Sequence, residues 1–180
     1  MKRTLSTGYI ALGATGTQQP VFGTALSAAS VLPGAGSPLV KIAVTSSAWF
    51  KANDLVLLDP LGTHPEQLYI SSVPDSTHVV VNFPQFVHSS GVWLQLAICC
   101  VGVFVQCQPG NTGAILIGTK GVKYSTLAYG IALLEPTGAA VQPVYFADPI
   151  NGLANAMKTD DYWFDGADTG DKILASCTVM

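Results

Sequence analysis

Five aspartates, Asp160, Asp161, Asp165, Asp168 and Asp171, crowd into one short segment and are interleaved with Gly166 and Gly170. Carboxylates on a glycine-bearing loop are the oxygen ligands that wrap calcium, so Asp161, Asp165, Asp168 and Asp171 form a candidate cation site. The spacing lacks the alternate acidic positions that precede the central glycine of an EF-hand loop. Solvated loop carboxylates are therefore the preferred expectation, and neither a metal nor a cofactor is assigned.

His64, His78 and His88 are widely separated along the chain, on expected turns and a strand end. Metal sites often draw on closer spacings, so surface or loop-packing histidines are expected. The thiols are Cys99, Cys100, Cys107 and Cys177. Adjacent cysteines make an awkward disulfide framework, and reduced thiols are the default. Cys99 and Cys107 fall on an apolar strand face, where a thiol packs rather than attacks. Cys107 and Cys177 both point to the core side of their strands, as a reduced pair or, alternatively, a disulfide. No G-x-S-x-G elbow, phosphate loop or metal motif is present, and no enzymatic activity is expected. Trp49, Phe50, Trp93, Tyr162, Trp163 and Phe164 suit a sugar-stacking platform, but core or interface anchors are the commoner use of such residues.

The elements that would position these groups read as short strands. Val40, Ile42 and Val44 alternate with Lys41, Ala43 and Thr45, the period of a half-buried strand. Leu55 and Leu57, Leu68 and Ile70, and Val79, Val81 and Phe83 repeat that period, with Pro74 to Thr77 as a hairpin turn. Cys99, Val101, Val103, Val105 and Cys107 share one parity before Pro109-Gly110-Asn111 breaks the strand, and Ile173, Ala175, Cys177 and Val179 share another. Strands are also expected over 114–117, 131–134 and 144–146. The one expected helical segment, of a turn or two, lies near Asn151 to Lys158. The fold class is all-β, one or two small β-sandwich or barrel modules with an extended N-terminal arm. The expected boundaries are 1–20 for the arm, 21–96 for the first module and 97–180 for the second.

Composition narrows the function. Of 180 residues, 49% are hydrophobic and 11% are charged, against roughly 25% charged in an ordinary soluble domain. Much of the exterior must therefore be uncharged, and such a surface is safest when another protein covers it. A net charge of −3 and only 8 basic residues, scattered along the chain, exclude an electrostatic nucleic-acid footprint. The longest apolar run, Leu96 to Val105, is too short for a membrane helix. Residues 4–20 lack the apolar segment of a secretory signal, and no membrane association is expected.

Two stretches resemble modules of tailed-bacteriophage virion proteins. The first comprises Thr24 to Ala29, Ile42 to Ser47, Trp49 to Asp59, Glu66, Ile70 to Val73 and His88 to Val92. Asn53 stands where such modules often carry glycine. The second comprises Gln108 to Gly113 leading into Ala114 to Gly118, then Gly130 to Pro136 and the last strand. The resemblance, to capsid decoration (cement) proteins in particular, implies a two-part β protein, often a homotrimer. Such a protein is made in the host bacterial cytoplasm and bound to the major capsid protein on the capsid exterior. Neck, tail or fibre components, or a receptor- or glycan-binding module, are the alternatives. The arm, through Tyr9, Ile10 and Leu12, and the aromatic pair Tyr162 and Trp163 are the expected interface residues.

Overall fold

The computed structural model describes residues 3–34, 37–134, 143–147 and 157–179. In chain order its strands are β1 (Arg3–Ala11), β2 (Gln19–Pro20), β3 (Gly23–Ala25), β4 (Leu39–Ala43), β5 (Leu55–Leu58), β6 (Glu66–Asp75), β7 (His78–Asn82) and β8 (Trp93–Leu96). There follow β9 (Cys99–Cys107), β10 (Ile115–Lys123), β11 (Ala128–Leu134), β12 (Val144–Ala147), β13 (Met157–Lys158), β14 (Trp163–Gly166) and β15 (Lys172–Val179). Short 3-10 turns at Tyr124–Thr126 and Thr159–Asp161 are the helical pieces among the described residues. The all-β expectation holds. Of the expected helical segment, residues 151–156 lie outside the described residues, while Met157 and Lys158 pair with β9 as a strand.

The chain divides into two compact units, Gly23–Ile98 and Met1–Phe22 with Cys99–Met180. The Gly23–Ile98 unit is one antiparallel sheet in the order β3-β8-β5-β6-β7-β4. Its first and last strands meet: Leu26 bridges Val44, Thr45 N–H donates to Ala25 O (2.9 Å) and Ser27 N–H to Ala43 O (3.0 Å). The sheet thus curls into a barrel-like form whose two ends touch at this bridge. Strict alternation fills it. Val40 and Ile42, Val56 and Leu58, Leu68 and Ile70, and Val79 and Val81 point inward and are buried, while the residues between them face out. The hairpin turn expected at Pro74 to Thr77 joins β6 to β7.

The other unit sets a sheet β1-β15-β9-β12, with β13 also on β9, beside a second sheet β11-β10-β14-β2. Ile173, Ala175, Cys177 and Val179 are buried along β15, as their parity requires. On β9 the parity breaks. Cys177 pairs with Val103 and Thr178 with Gly102, but Val179 pairs with Cys100, so Val101 is bulged out. One extra residue turns the preceding side chains over. Cys100 is therefore buried and Cys99 exposed, the reverse of the expected face.

The N-terminal segment differs from the expected free arm. β1 pairs along β15 from Arg3↔Val179 to Ala11↔Lys172, and β2 pairs with β14. Leu5, Leu12, Val21 and Phe22 are buried in the chain's own core. The alternation of Leu5 and Thr7 inward with Thr4 and Ser6 outward is a strand signal diluted by small polar residues. Leu12→Ala removes a fully buried side chain and is expected to cost about 3 kcal/mol of stability. Urea titration checks this; an unchanged midpoint would show that the segment is dispensable to the fold.

Candidate functional site

The side chains with chemistry gather in three places, each built on carboxylates. In the barrel, Glu66 occupies the inward parity of β6, the same that Leu68 and Ile70 follow. A buried carboxylate must be paired or hydrogen-bonded, and Glu66 is both. Its oxygens accept from Gln85 N–H and Phe86 N–H (3.2 Å), and Oε2 lies 2.7 Å from His88 Nε2. His88 Nδ1 lies 3.2 Å from Asp59 Oδ2 on the loop after β5. The His88 backbone is tied as well, donating to Ser30 Oγ and accepting from Ser30 N–H, both at 2.8 Å. Both ring nitrogens thus face carboxylate oxygens. His64 stacks on Phe86, with ring centroids 4.3 Å apart.

This histidine is not placed for catalysis or metal binding. His88 is 2% exposed, which closes it to substrate, and its two nitrogens point at different carboxylates rather than at one ligand position. The cluster instead fixes the loop over residues 83–92 to the barrel end. From its sequence context alone, His88 reads as a surface or loop-packing group. The parity of Glu66 with Leu68 and Ile70 was the available signal that an acid points inward there and needs a partner.

The aspartates of the C-terminal region are engaged separately. Asp165, fully buried, accepts from Gly16 N–H (2.9 Å), Tyr124 N–H (2.8 Å) and Gly166 N–H (2.9 Å). Asp171, also buried, accepts from Thr112 N–H (2.9 Å), Thr112 Oγ1 (3.3 Å) and Gly113 N–H (2.7 Å). Asp161 accepts from Lys158 N–H at 3.2 Å. Asp168 is exposed. Of the four carboxylates named as a calcium candidate, Asp161, Asp165 and Asp171 are thus bound to different stretches of backbone. Among the described residues no group of three or more His, Cys, Asp or Glu is arranged to hold a metal ion.

A further acid organises the β6–β7 hairpin. Asp75 Oδ1 accepts from Thr77 N–H (2.9 Å) and lies 2.7 Å from His78 Nδ1, and Oδ2 lies 3.5 Å from Lys41 Nζ. The Thr77 amide and the His78 ring hold this carboxyl well below the usual carboxylate range.

The expected interface aromatics are internal. Trp163 is 1% exposed because β14 is a central strand, held between β10 and β2. Its indole packs on Leu116 and Val122, and Nε1–H donates to Asp160 O at 3.1 Å. Phe164 faces the other way and is also buried, so the aromatic run faces inward from both sides of the strand. Tyr162, just before β14, is buried against Phe146, its hydroxyl directed at Met157 Sδ; burial pushes the phenol up to about 12. Of the arm candidates, Leu12 is core, Ile10 is half-buried and Tyr9 is exposed. Tyr9 alone of these five lies open on the surface.

The four cysteines are free, as the reduced default has it, but Cys107 and Cys177 are not neighbours. Cys107 lies opposite Ile173 and Cys177 opposite Val103, four ladder positions away. At roughly 3.4 Å per residue, about 14 Å separates them along the ladder, well beyond a disulfide. Burial pushes Cys107 up to about 11, and Cys100 and Cys177 up to about 12.

No protein-family model and no curated protein matches the chain. Among solved structures the chain is similar to VP17, a capsid protein of bacteriophage P23-77, at 10% identity over 100% of this chain and 96% of that one. The TM-score is 0.25, below that of a shared fold.

Replacing Glu66 by Gln leaves backbone amides and an imidazole facing a neutral group in a buried position, and is expected to cost about 3 kcal/mol. Chemical denaturation measures it against Asp168→Asn, an exposed change expected to cost almost nothing; equal effects would remove the buried cluster from the fold's support. At pH 8 a thiol reagent is expected to label Cys99 alone in the folded protein, the other three reacting only on unfolding. Because the three buried thiols favour the protonated form, their contribution to stability is full below about 9 and is lost as pH rises toward 12. Stability that stays level across that alkaline range would contradict it.

Proposed function

We propose that the chain is a structural subunit of a tailed-bacteriophage virion, a decoration protein that binds the outer face of the capsid and stabilises the lattice of the major capsid protein. Its work is binding rather than catalysis, carried out as a homotrimer. The observation that carries this reading is the character of the surface. Thirteen large apolar side chains are exposed among the described residues, in a chain with only 19 charged ones (8 basic and 11 acidic). Several of the acids on which this surface could draw are turned inward to backbone amides, as described above. A free monomer rarely shows contiguous apolar patches of more than a few hundred Å², whereas an assembly subunit buries them on docking.

On the two-sheet unit such a patch lies on β11 and the turn before it, where Leu127, Tyr129 and Ile131 are exposed. Gly118, opposite on β10, is required there, since a Cβ would overlap the Tyr129 carbonyl. Burial of this patch contributes on the order of 25 cal/mol per Å² before the cost of association. Symmetric repetition on a shell adds avidity. Of the aromatics named for the glycan-binding alternative, Phe50, Tyr162, Trp163 and Phe164 are buried, which leaves the half-buried Trp49 and Trp93.

Quantitative mass spectrometry of purified particles tests the position. Copy numbers comparable to the shell protein are expected; a small fixed number would move the chain to the neck or tail, and absence from the particle would end the virion reading. The double variant Tyr129→Asn with Ile131→Ser keeps a residue tolerant of the left-handed backbone at 129 (φ 54). It is expected to lower shell occupancy about tenfold with the circular dichroism unchanged.

A further inference from the structure

We infer that one end of the Gly23–Ile98 barrel, made by residues 30–34, 37–39 and 82–88, is the surface through which copies of this chain bind one another. This deepens the proposed assembly role by naming the partner at one surface, and it rests on that role. Two stretches of chain build the surface side by side. Leu39 pairs with Asn82, Phe83 N–H donates to Pro38 O (2.8 Å), and Ser30 and His88 exchange hydrogen bonds. Val31, Leu32, Leu39, Phe83, Phe86 and Val87 are each between 42% and 62% exposed there. At on the order of 100 Å² per large side chain, they gather several hundred Å² of apolar area in one place.

Phe83 adds an independent observation. It is held at φ 50, in the left-handed region, while presenting its ring at 62% exposure. A non-glycine residue rarely takes that conformation, and it persists only where the surroundings enforce it. Here Pro38 and the loop anchored on Glu66 enforce it, and the outcome is an aromatic ring pointed at solvent.

Charge identifies the occupant. No Asp, Glu, Lys or Arg occurs from Gly23 to Val40 or from Val79 to Ile98. The two acids at this end, Asp59 and Glu66, are turned onto His88, with side chains 19% and 7% exposed. Asp75 and His78 lie at the other end of β7 from Asn82, and Lys41, on the outward face of β4 with Leu39, is paired to Asp75. When identical surfaces meet about a rotation axis, every charge near the axis meets its own copy. An end whose two acids are largely withdrawn from solvent is the one that can close on itself with little of that repulsion. It gives an ionic partner little to hold.

The test uses the full-length chain and sedimentation velocity. The wild type is expected to associate, and Val87→Glu and Val87→Lys are each expected to weaken association at least about tenfold through like charges brought together. Mixing the two variants is expected to restore it. Both substitutions leave Asp59, Glu66 and His88 in place, and unchanged thermal unfolding verifies the fold. Leu127→Glu, on the other unit, is expected to leave association unchanged. A wild type that stays monomeric, a Val87→Glu protein that associates normally, or a mixture that fails to recover would each overturn the inference. The particle copy number judges the virion reading separately, so the two fail independently.

Discussion

The hydrogen bond from a backbone amide to an inward-turned carboxylate is the interaction on which most of this structure depends. A buried carboxylate is tolerable only where several donors converge on it. Asp165 and Asp171 each collect amides from other stretches of the chain, and Glu66 collects two amides and an imidazole. In a polypeptide with so few acidic residues, 11 in all, that use has a second consequence. Groups that ordinarily wet a protein surface are inside, tying loops to sheets, and what is left outside is largely apolar or neutral.

The two units meet the problem of strand edges differently. In the Gly23–Ile98 unit the segments that follow β3 and β4 bridge at Leu26 and Val44, which covers part of the two outer strands. In the two-sheet unit, β1, β2 and β11 lie at sheet edges. An edge strand invites pairing, and proteins commonly guard one with charge. β11 carries no charged residue from Ala128 to Leu134; its local irregularity is a bulge at Gly118 on β10 and a left-handed Tyr129. Both features fit a chain whose exterior is meant to be covered.

Strand content was legible because period-2 alternation survives in β4, β6, β7 and β15, where one face is buried and the other wet. Three features were not. The segment before Gly23 is short of large apolar side chains, so a strand that completes a sheet with the far end of the chain read as a tail. Bulges reverse parity without any mark in composition, which is why Cys99 and Cys100 exchanged faces. Burial of both sides of β14 depends on its position between β10 and β2, a fact of topology rather than of local pattern. The carboxylate cluster lay between these cases. The inward parity of Glu66 was visible, but nothing local to it marks His88 and Asp59, which reach it from other loops.

The central claim is that withdrawing charge from the surface prepares this protein to be covered by other subunits. Electron cryo-microscopy of the intact particle measures that directly. The expected result is density for this chain on the shell, with the barrel end at residues 30–34, 37–39 and 82–88 and the β11 face both buried against neighbouring protein. A particle in which the chain is present but both surfaces face solvent would contradict the account.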